Sequence, residues 1–417
     1  MIFNFLQFLK NKSIPYIIVN GYKDLFDTAE RDNDIDILFK KSDFKKINSI
    51  LSEYCKQEGC RIVQTYHQEV YAKNIFLYKE STAEILNLDA YGKLHKFNNT
   101  FFKEDELFAG VQDYRGVSIL SPKHEFFFYF IKKIGKSDFS EKAFQYLKDL
   151  FLKNQVECSE LLDNHLNKTG KQVSDAFLKN NYAFINQSKK EILSSIEKKK
   201  VSISYRIKDK LRILKRLVKP TGISIAFLGP DGSGKTTIIN GLLNSSLPFR
   251  RTDYFHLKPI HPKNKNSEVT SNPHEYKPYG KLKSLTKLLY FIYQYNFGWL
   301  KNIIPLKIKS SLIIFDRYFD DLIADNKRYR YGLGTGLAKF IRLFIKKPAL
   351  YFILVADAKI IYRRKQEVAF EELENQIKKY GDLADNKRYF KIDVNRKPKQ
   401  IVAEIHQILM KKMNERY

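Results

Sequence analysis

Residues 229–237 read Gly-Pro-Asp-Gly-Ser-Gly-Lys-Thr-Thr, and they constrain the fold more than any other stretch. Gly229, Gly234, Lys235 and Thr236 stand at the spacing of a phosphate-binding loop, Gly-x-x-x-x-Gly-Lys-Ser/Thr. Glycines let backbone N–H groups turn inward around a polyphosphate, Lys235 reaches the outer phosphates, and the Thr236 hydroxyl can ligate Mg²⁺. The pattern requires a strand before the loop and a helix after it. Residues 223–228 form a short apolar run suited to a buried parallel strand. Ile238, Ile239, Leu242 and Leu243 then recur at helical spacing. Pro230, Asp231, Gly232, Ser233 and Thr237 complete the expected nucleotide-binding loop, whose anion site the helix N-terminus would reinforce.

A chain of 417 residues should hold two or three domains. With 43% apolar and 29% charged residues, and no apolar run near the length of a bilayer span, it reads as soluble and globular. The N-terminus lacks the basic start and cleavage site of a signal peptide. Cys55, Cys60 and Cys158 form no metal or disulfide framework, so a reducing cytoplasm is the expected compartment.

Lys and Arg number 74 against 46 Asp and Glu, a formal charge of +28 that implies anionic partners. The excess is dense between residues 189 and 219, where Lys198, Lys199, Lys200, Lys208, Lys210, Arg212, Lys215, Arg216 and Lys219 occur. Ile207, Leu211, Ile213, Leu214 and Leu217 interleave with them at helical spacing. Such a helix can lie on an anionic membrane, or simply connect two domains with a solvated face.

Three segments are expected. Residues 1–120 are mixed α/β: an amphipathic helix carrying Phe3, Phe5, Leu6, Phe8 and Leu9, then strands at 16–19, 34–39, 61–65, 74–78 and 84–89. Residues 121–218 read as helices and a basic linker, opened by Ser121 as N-cap and Pro122 in the first turn. Pro220 to Gly222 marks the boundary to residues 219–417, where strand and helix alternate as in a parallel sheet with crossover helices.

A second signal narrows the reading. Residues 311–316 form an apolar strand ending in Asp316, the look of a carboxylate that partners Mg²⁺ beside a phosphate loop. Asp316-Arg317-Tyr318 follows, and here residues 221–410 resemble the thymidylate kinase family, which carries such a signature after this strand. Asp231-Gly232 inside the loop fits the same family. So do the strand 348–357, the lid start carrying Arg363, Arg364 and Lys365, and the tail from Lys391 to Pro398 with its closing helix. The resemblance implies an ATP- and Mg²⁺-dependent kinase. In it Lys235 and Arg364 act on the transferring phosphoryl, Asp316 and Thr236 lie at the metal, and Arg317 fixes the acceptor phosphate. Asp231 would face the acceptor. A homodimer is also expected from the family.

The resemblance fails after the signature. The run 316–332 is strongly charged where the family has small residues, and residues 254–261 and 273–280 differ from its usual inserts. Together they look like a divergent branch associated with bacterial surface-polysaccharide genes. A pocket of Arg317, Tyr318, Asp321, Arg328 and Arg330 would then hold a nucleoside monophosphate, or a phosphorylated sugar or glycan end. The competing class is a regulatory or nucleic-acid-dependent NTPase. No aromatic-basic platform for single strands is evident, so no specific nucleic acid is expected.

In the first segment Asp34 and Asp36 share one face of a strand, because residues i and i+2 point the same way. With the turn Asn20-Gly21 and a third carboxylate, Asp89, they resemble the nucleotidyltransferase superfamily. There such carboxylates bind two metal ions, and helices like those expected at 121–218 accompany the fold. The family's Gly-Ser is here Gly21-Tyr22, which sets the triphosphate-holding serine aside.

Overall fold

The computed structural model describes residues 1–26, 34–135, 139–196, 202–260 and 276–417. Lys198, Lys199, Lys200, His261 and residues 273–275 lie outside the described residues. The chain forms two compact units, Met1–Arg212 and Ile213–Tyr417. The boundary falls inside the helix Ile203–Val218, so the expected segment 1–120 shares a unit with all but the last residues of the expected segment 121–218.

The first unit is built on strands β1 (Tyr16–Asn20), β2 (Asp34–Phe39), β3 (Cys60–Glu69), β4 (Ala72–Lys79) and β5 (Glu84–Tyr91). A small ribbon follows, β6 (His95–Lys96) with β7 (Asn99–Thr100), and then a hairpin, β8 (Gln112–Tyr114) with β9 (Val117–Ile119). Seven strands order as β3-β4-β5-β2-β1-β9-β8, with β2 parallel to β5 and antiparallel to β1. The residue alternation of β1 and β2 assigns the two faces. Ile18, Ile35 and Ile37 pack with Phe5, Leu9 and Tyr54 on one side. Ile17, Val19 and Leu38 pack with the aromatic helix Pro122–Ile134 on the other. Ser121 holds the N-cap position of that helix, but its hydroxyl meets His124 Nδ1 at 2.8 Å instead of a helix N–H. Behind it Phe177 touches Phe126, Phe130, Phe144 and Phe151 at centroid distances of 5.2–5.6 Å.

The second unit holds β10 (Ile223–Leu228), β11 (Arg251–His256), β12 (Ser311–Asp316), β13 (Leu350–Val355) and β14 (Tyr389–Asp393). All pairings are parallel, in the order β11-β12-β10-β13-β14. Every residue of β10 and β13 is buried, as expected for central parallel strands covered on both faces. The C-terminal ends of β10, β11 and β12 lie together, which is where ligands bind in open parallel sheets.

The helix Ile203–Val218 buries none of its residues, and its Ile207, Leu211, Leu214 and Leu217 are exposed. No helix among the described residues is long and apolar enough to cross a membrane.

Phe177→Ala should destabilise the first unit by about 3–5 kcal/mol, because it empties a site ringed by four phenyl groups. Denaturant unfolding read by far-UV circular dichroism checks this, with Phe3→Ala, half exposed at the surface, changing little.

Candidate functional site

β10 feeds Gly229 at φ +144°, a conformation open to glycine and strained for other residues. A Cβ at Gly229 would also collide with the Leu354 carbonyl oxygen, so β13 presses directly on the loop. Gly232 and Gly234 turn at φ +81° and +83°, and Gly234 caps the helix Lys235–Leu243. Lys235 is 8% exposed and donates to the carbonyls of Gly229 and Pro230, both at 2.9 Å. Burial, and then the nearby charge of Arg317, push its pKa down to about 7. Thr236 and Thr237 are exposed at the helix start, while Ser233 is buried.

Strand β12 delivers the next groups. Its register sets Asp316 beside Phe227 of β10 on one side and His256 of β11 on the other. Tyr254 donates to Asp316 Oδ2 at 2.9 Å, and Asp316 Oδ1 is buried with no hydrogen-bond partner. An orphaned carboxylate oxygen beside a phosphate loop suits a divalent cation also held by the Thr236 hydroxyl and phosphate oxygens. Among the described residues no group of three or more His, Cys, Asp and Glu is arranged to hold a metal ion by itself. Mg²⁺, which keeps waters and phosphate oxygens in its shell, fits this sparse donor set.

Arg317 follows with φ +69°, its N–H bonded to the Phe227 carbonyl at 2.9 Å. The side chain is 4% exposed. One guanidinium nitrogen donates to Asp321 Oδ2 at 2.7 Å and another to Asp231 Oδ1. Burial opposes the guanidinium charge, yet Asp321, Tyr380 and Tyr329 together outweigh it and the pKa is raised. Asp321 is fully buried and also accepts from Tyr329 at 2.7 Å and from Tyr380. Arg328 takes the other oxygen of Asp231 and lies near Asp325 and Glu367 at 3.4 and 3.3 Å. Burial, then Asp321, lift the Asp325 pKa to about 7.

The helix Ala358–Arg364 is capped by Asp357, which accepts from the Lys359 N–H at 2.8 Å. It meets the loop at Gly232, where an added Cβ would sit 3.1 Å from Lys365 Cβ and 3.3 Å from Ile361. Arg363 and Arg364 at its end are exposed.

Thus Lys235, Asp316, Asp231, Arg317 and Arg328 are brought together. Tyr318 and Arg330 make contacts outside this group. Tyr318 is fully buried in the core against Tyr295, Phe315 and Tyr351, its hydroxyl on the Lys346 carbonyl. Arg330 lies over the rings of Tyr279 and Tyr276 at 4.2 and 5.2 Å. Tyr254 was not expected at the site, although its place two residues before the end of β11, on the same face as His256, was a signal.

In the first unit Asp36 and Asp89 face each other in register across β2 and β5, and Asp34 pairs with Asn87. Asp36 accepts from Lys132 at 2.7 Å and Tyr91 at 2.9 Å. Asp89 accepts from Asn74 at 2.7 Å and Gln68 at 3.1 Å. Burial, then the charge of Asp36, raise the Asp89 pKa. Lys132 supplies a positive charge at Asp36, and Asp34 is exposed at the strand start.

No protein-family model matches the chain, and no curated protein does. Among solved structures it is similar to the thymidylate kinase of Candida albicans, with 20% identity and a TM-score of 0.34 over 46% of this chain and 93% of that one. It is also similar to the thymidylate kinase of Ehrlichia chaffeensis, with 20% identity and a TM-score of 0.32 over 45% and 98%.

Lys235 yields a pH test. Above its pKa of about 7 the amine is largely neutral, and a bound polyphosphate favours the ammonium form. Binding of inorganic tripolyphosphate should therefore take up nearly one proton at about pH 8.5 and almost none at about pH 6. Calorimetry in buffers of different ionisation enthalpy measures this, and Lys235→Ala should abolish the difference.

Proposed function

We propose that the second unit transfers the γ-phosphoryl of ATP, with Mg²⁺, to a small phosphorylated acceptor, as a nucleoside monophosphate kinase does. The observation that carries the reading is the joint placement of Lys235, the orphaned Asp316 oxygen and the Arg317–Asp231–Arg328 clamp at the ends of three adjacent parallel strands. Phosphoryl transfer asks for positioning and charge neutralisation rather than covalent help. Mg²⁺ held by Asp316 and Thr236 would supply charge compensation at the phosphates. Lys235 leaves its loop carbonyls to meet the outer phosphates. The Asp231 carboxylate lies between Arg317 and Arg328 much as an acceptor phosphate would, so the two guanidinium groups are already aimed at a tetrahedral anion. Arg363, Arg364 and Lys365 lie on the segment that packs over the loop and can approach the transferring group when it closes. The acceptor is a nucleoside monophosphate, or a sugar phosphate or glycan end of surface polysaccharide. Its action is in the cytoplasm, as a homodimer.

ADP release over a panel of nucleoside monophosphates and sugar phosphates should require a phosphorylated acceptor. Lys235→Ala should lower kcat by about 100-fold or more, since it leaves developing phosphate charge uncompensated. Turnover driven by polynucleotide instead, falling steeply with salt, would favour a nucleic-acid-dependent NTPase.

A second reading concerns the first unit. Asp36 and Asp89 side by side, with the Asp89 pKa raised, are favourable to nucleotidyl transfer at a carboxylate pair that a metal would have to win from Lys132. Labelled nucleotide transfer should then vanish in the double variant Asp34→Ala with Asp36→Ala. Absence of transfer by the wild type to any acceptor would end this reading.

A further inference from the structure

Four cations in the second unit gather with no carboxylate partner among the described residues: Lys258, Lys283, Lys287 and Arg330. Two aromatic rings collect them. Lys283, Lys287 and Arg330 lie over Tyr279 at 4.3, 5.2 and 4.2 Å from its centroid. Lys258 and Lys287 lie over Phe291 at 4.8 and 5.8 Å. Lys287 and Lys258 are only partly exposed, as is Arg330.

The arrangement is held by backbone, not by chance side-chain contact. The Tyr279 N–H bonds the Arg330 carbonyl at 2.8 Å, and the Gly332 N–H bonds Ser284 Oγ at 3.0 Å. At Gly332 any Cβ would run into the Tyr279 carbonyl oxygen, so only glycine lets the two segments close together. The turn bearing Lys258 is pinned by Tyr295 on the Leu257 carbonyl and Asn302 on the Pro259 carbonyl, both at 2.8 Å. Lys287 donates to the Tyr329 carbonyl at 2.5 Å, and the Tyr329 hydroxyl holds Asp321, the partner of Arg317. The cluster is thus joined to the Asp231–Arg317 clamp through Tyr329 and Asp321.

Gathering like charges in a half-buried place costs free energy, and ring faces return only about 0.5–2 kcal/mol each. Burial, then the charges of Lys258, Arg330 and Lys283, press the Lys287 pKa down to about 8. An anion between these groups would reverse that cost. A neutral nucleobase would not.

Resting on the kinase reading above, we propose that Lys258, Lys287 and Arg330, with Lys283 at the rim, bind a second acidic group of the acceptor. The acceptor is then a phosphorylated sugar or glycan end carrying a further carboxylate, sulfate or phosphate, rather than a nucleoside monophosphate.

Three probes of one sugar separate the contributions: glucose 1-phosphate, glucuronic acid 1-phosphate and glucose 1,6-bisphosphate. Calorimetric binding to the full chain without ATP should favour both two-acid probes by about 10-fold or more over glucose 1-phosphate. Lys287→Gln and, separately, Lys258→Gln should remove that advantage and leave glucose 1-phosphate within about 2-fold, with Lys287→Arg restoring part of it. Circular dichroism confirms that each variant is folded. Equal affinity for the three probes, no binding of any, or an equal loss for all three in a folded variant would overturn the proposal. ADP release is read separately. Discrimination in binding with no ADP release from any probe leaves the anion site standing and removes the kinase reading. ADP release with thymidine monophosphate that Lys258→Gln and Lys287→Gln leave unchanged does the reverse.

Discussion

The second unit depends on one buried cation. Arg317 turns out of β12 in a left-handed backbone conformation that a non-glycine residue adopts at a cost of about 1 kcal/mol or more. What offsets the cost is the guanidinium between Asp231 of the phosphate loop and Asp321 of the following helix. Tyr329 and Tyr380 close the second carboxylate, so five chain segments meet on one charge. An exposed pair such as Lys327–Glu372 contributes about 0–1 kcal/mol. Breaking a buried pair from one side costs about 3–5 kcal/mol, because the remaining charge has no water to turn to. The loop's position relative to the strand ends is therefore set at Arg317, whereas the loop's own curvature is set by its glycines.

That hub separates two kinds of positive charge. Lys235, Arg317 and Arg328 each have acceptors inside the protein: loop carbonyls for the first, carboxylates for the others. They can exchange these for phosphate oxygens without ever standing uncompensated. Among the described residues, Lys258, Lys283, Lys287 and Arg330 face ring quadrupoles and carbonyl oxygens and no carboxylate. Tyr329 is common to both sets, its hydroxyl on Asp321 and its carbonyl on Lys287.

Much of this was legible in the sequence. Strand β2 has the bounds read from its residues, and β10 and the helix after the loop lie where the apolar spacing sets them. Local signals suffice there, since glycine geometry and hydrophobic period are written in a few consecutive residues. What could not be read were partners distant in sequence. That Asp36 would meet Lys132, from the helix Pro122–Ile134 some 96 residues on, is not written near Asp36 in the sequence. Tyr318 looked like a ligand contact because it adjoins Arg317. Yet the left-handed turn at Arg317 sends the two side chains apart, one to the carboxylates and one into the core. Strands β8 and β9 have three residues each, too few to show a period.

The formal charge of +28 takes a different meaning once located. Taken over the chain it implied anionic partners of some kind, and a polyanion among them would be bound by cations spread along a surface track. In the second unit the cations of interest are not spread. They form one compensated clamp and one cluster with no carboxylate partner among the described residues, linked through Tyr329 and Asp321 and held by backbone contacts that leave little freedom to follow a polymer. On the proposed reading, two anion sites would select for a small molecule with an acidic group at each end. Charge matching at both ends would then do what shape alone cannot, because an acceptor lacking the second acid leaves the half-buried Lys258 and Lys287 without an anion between them.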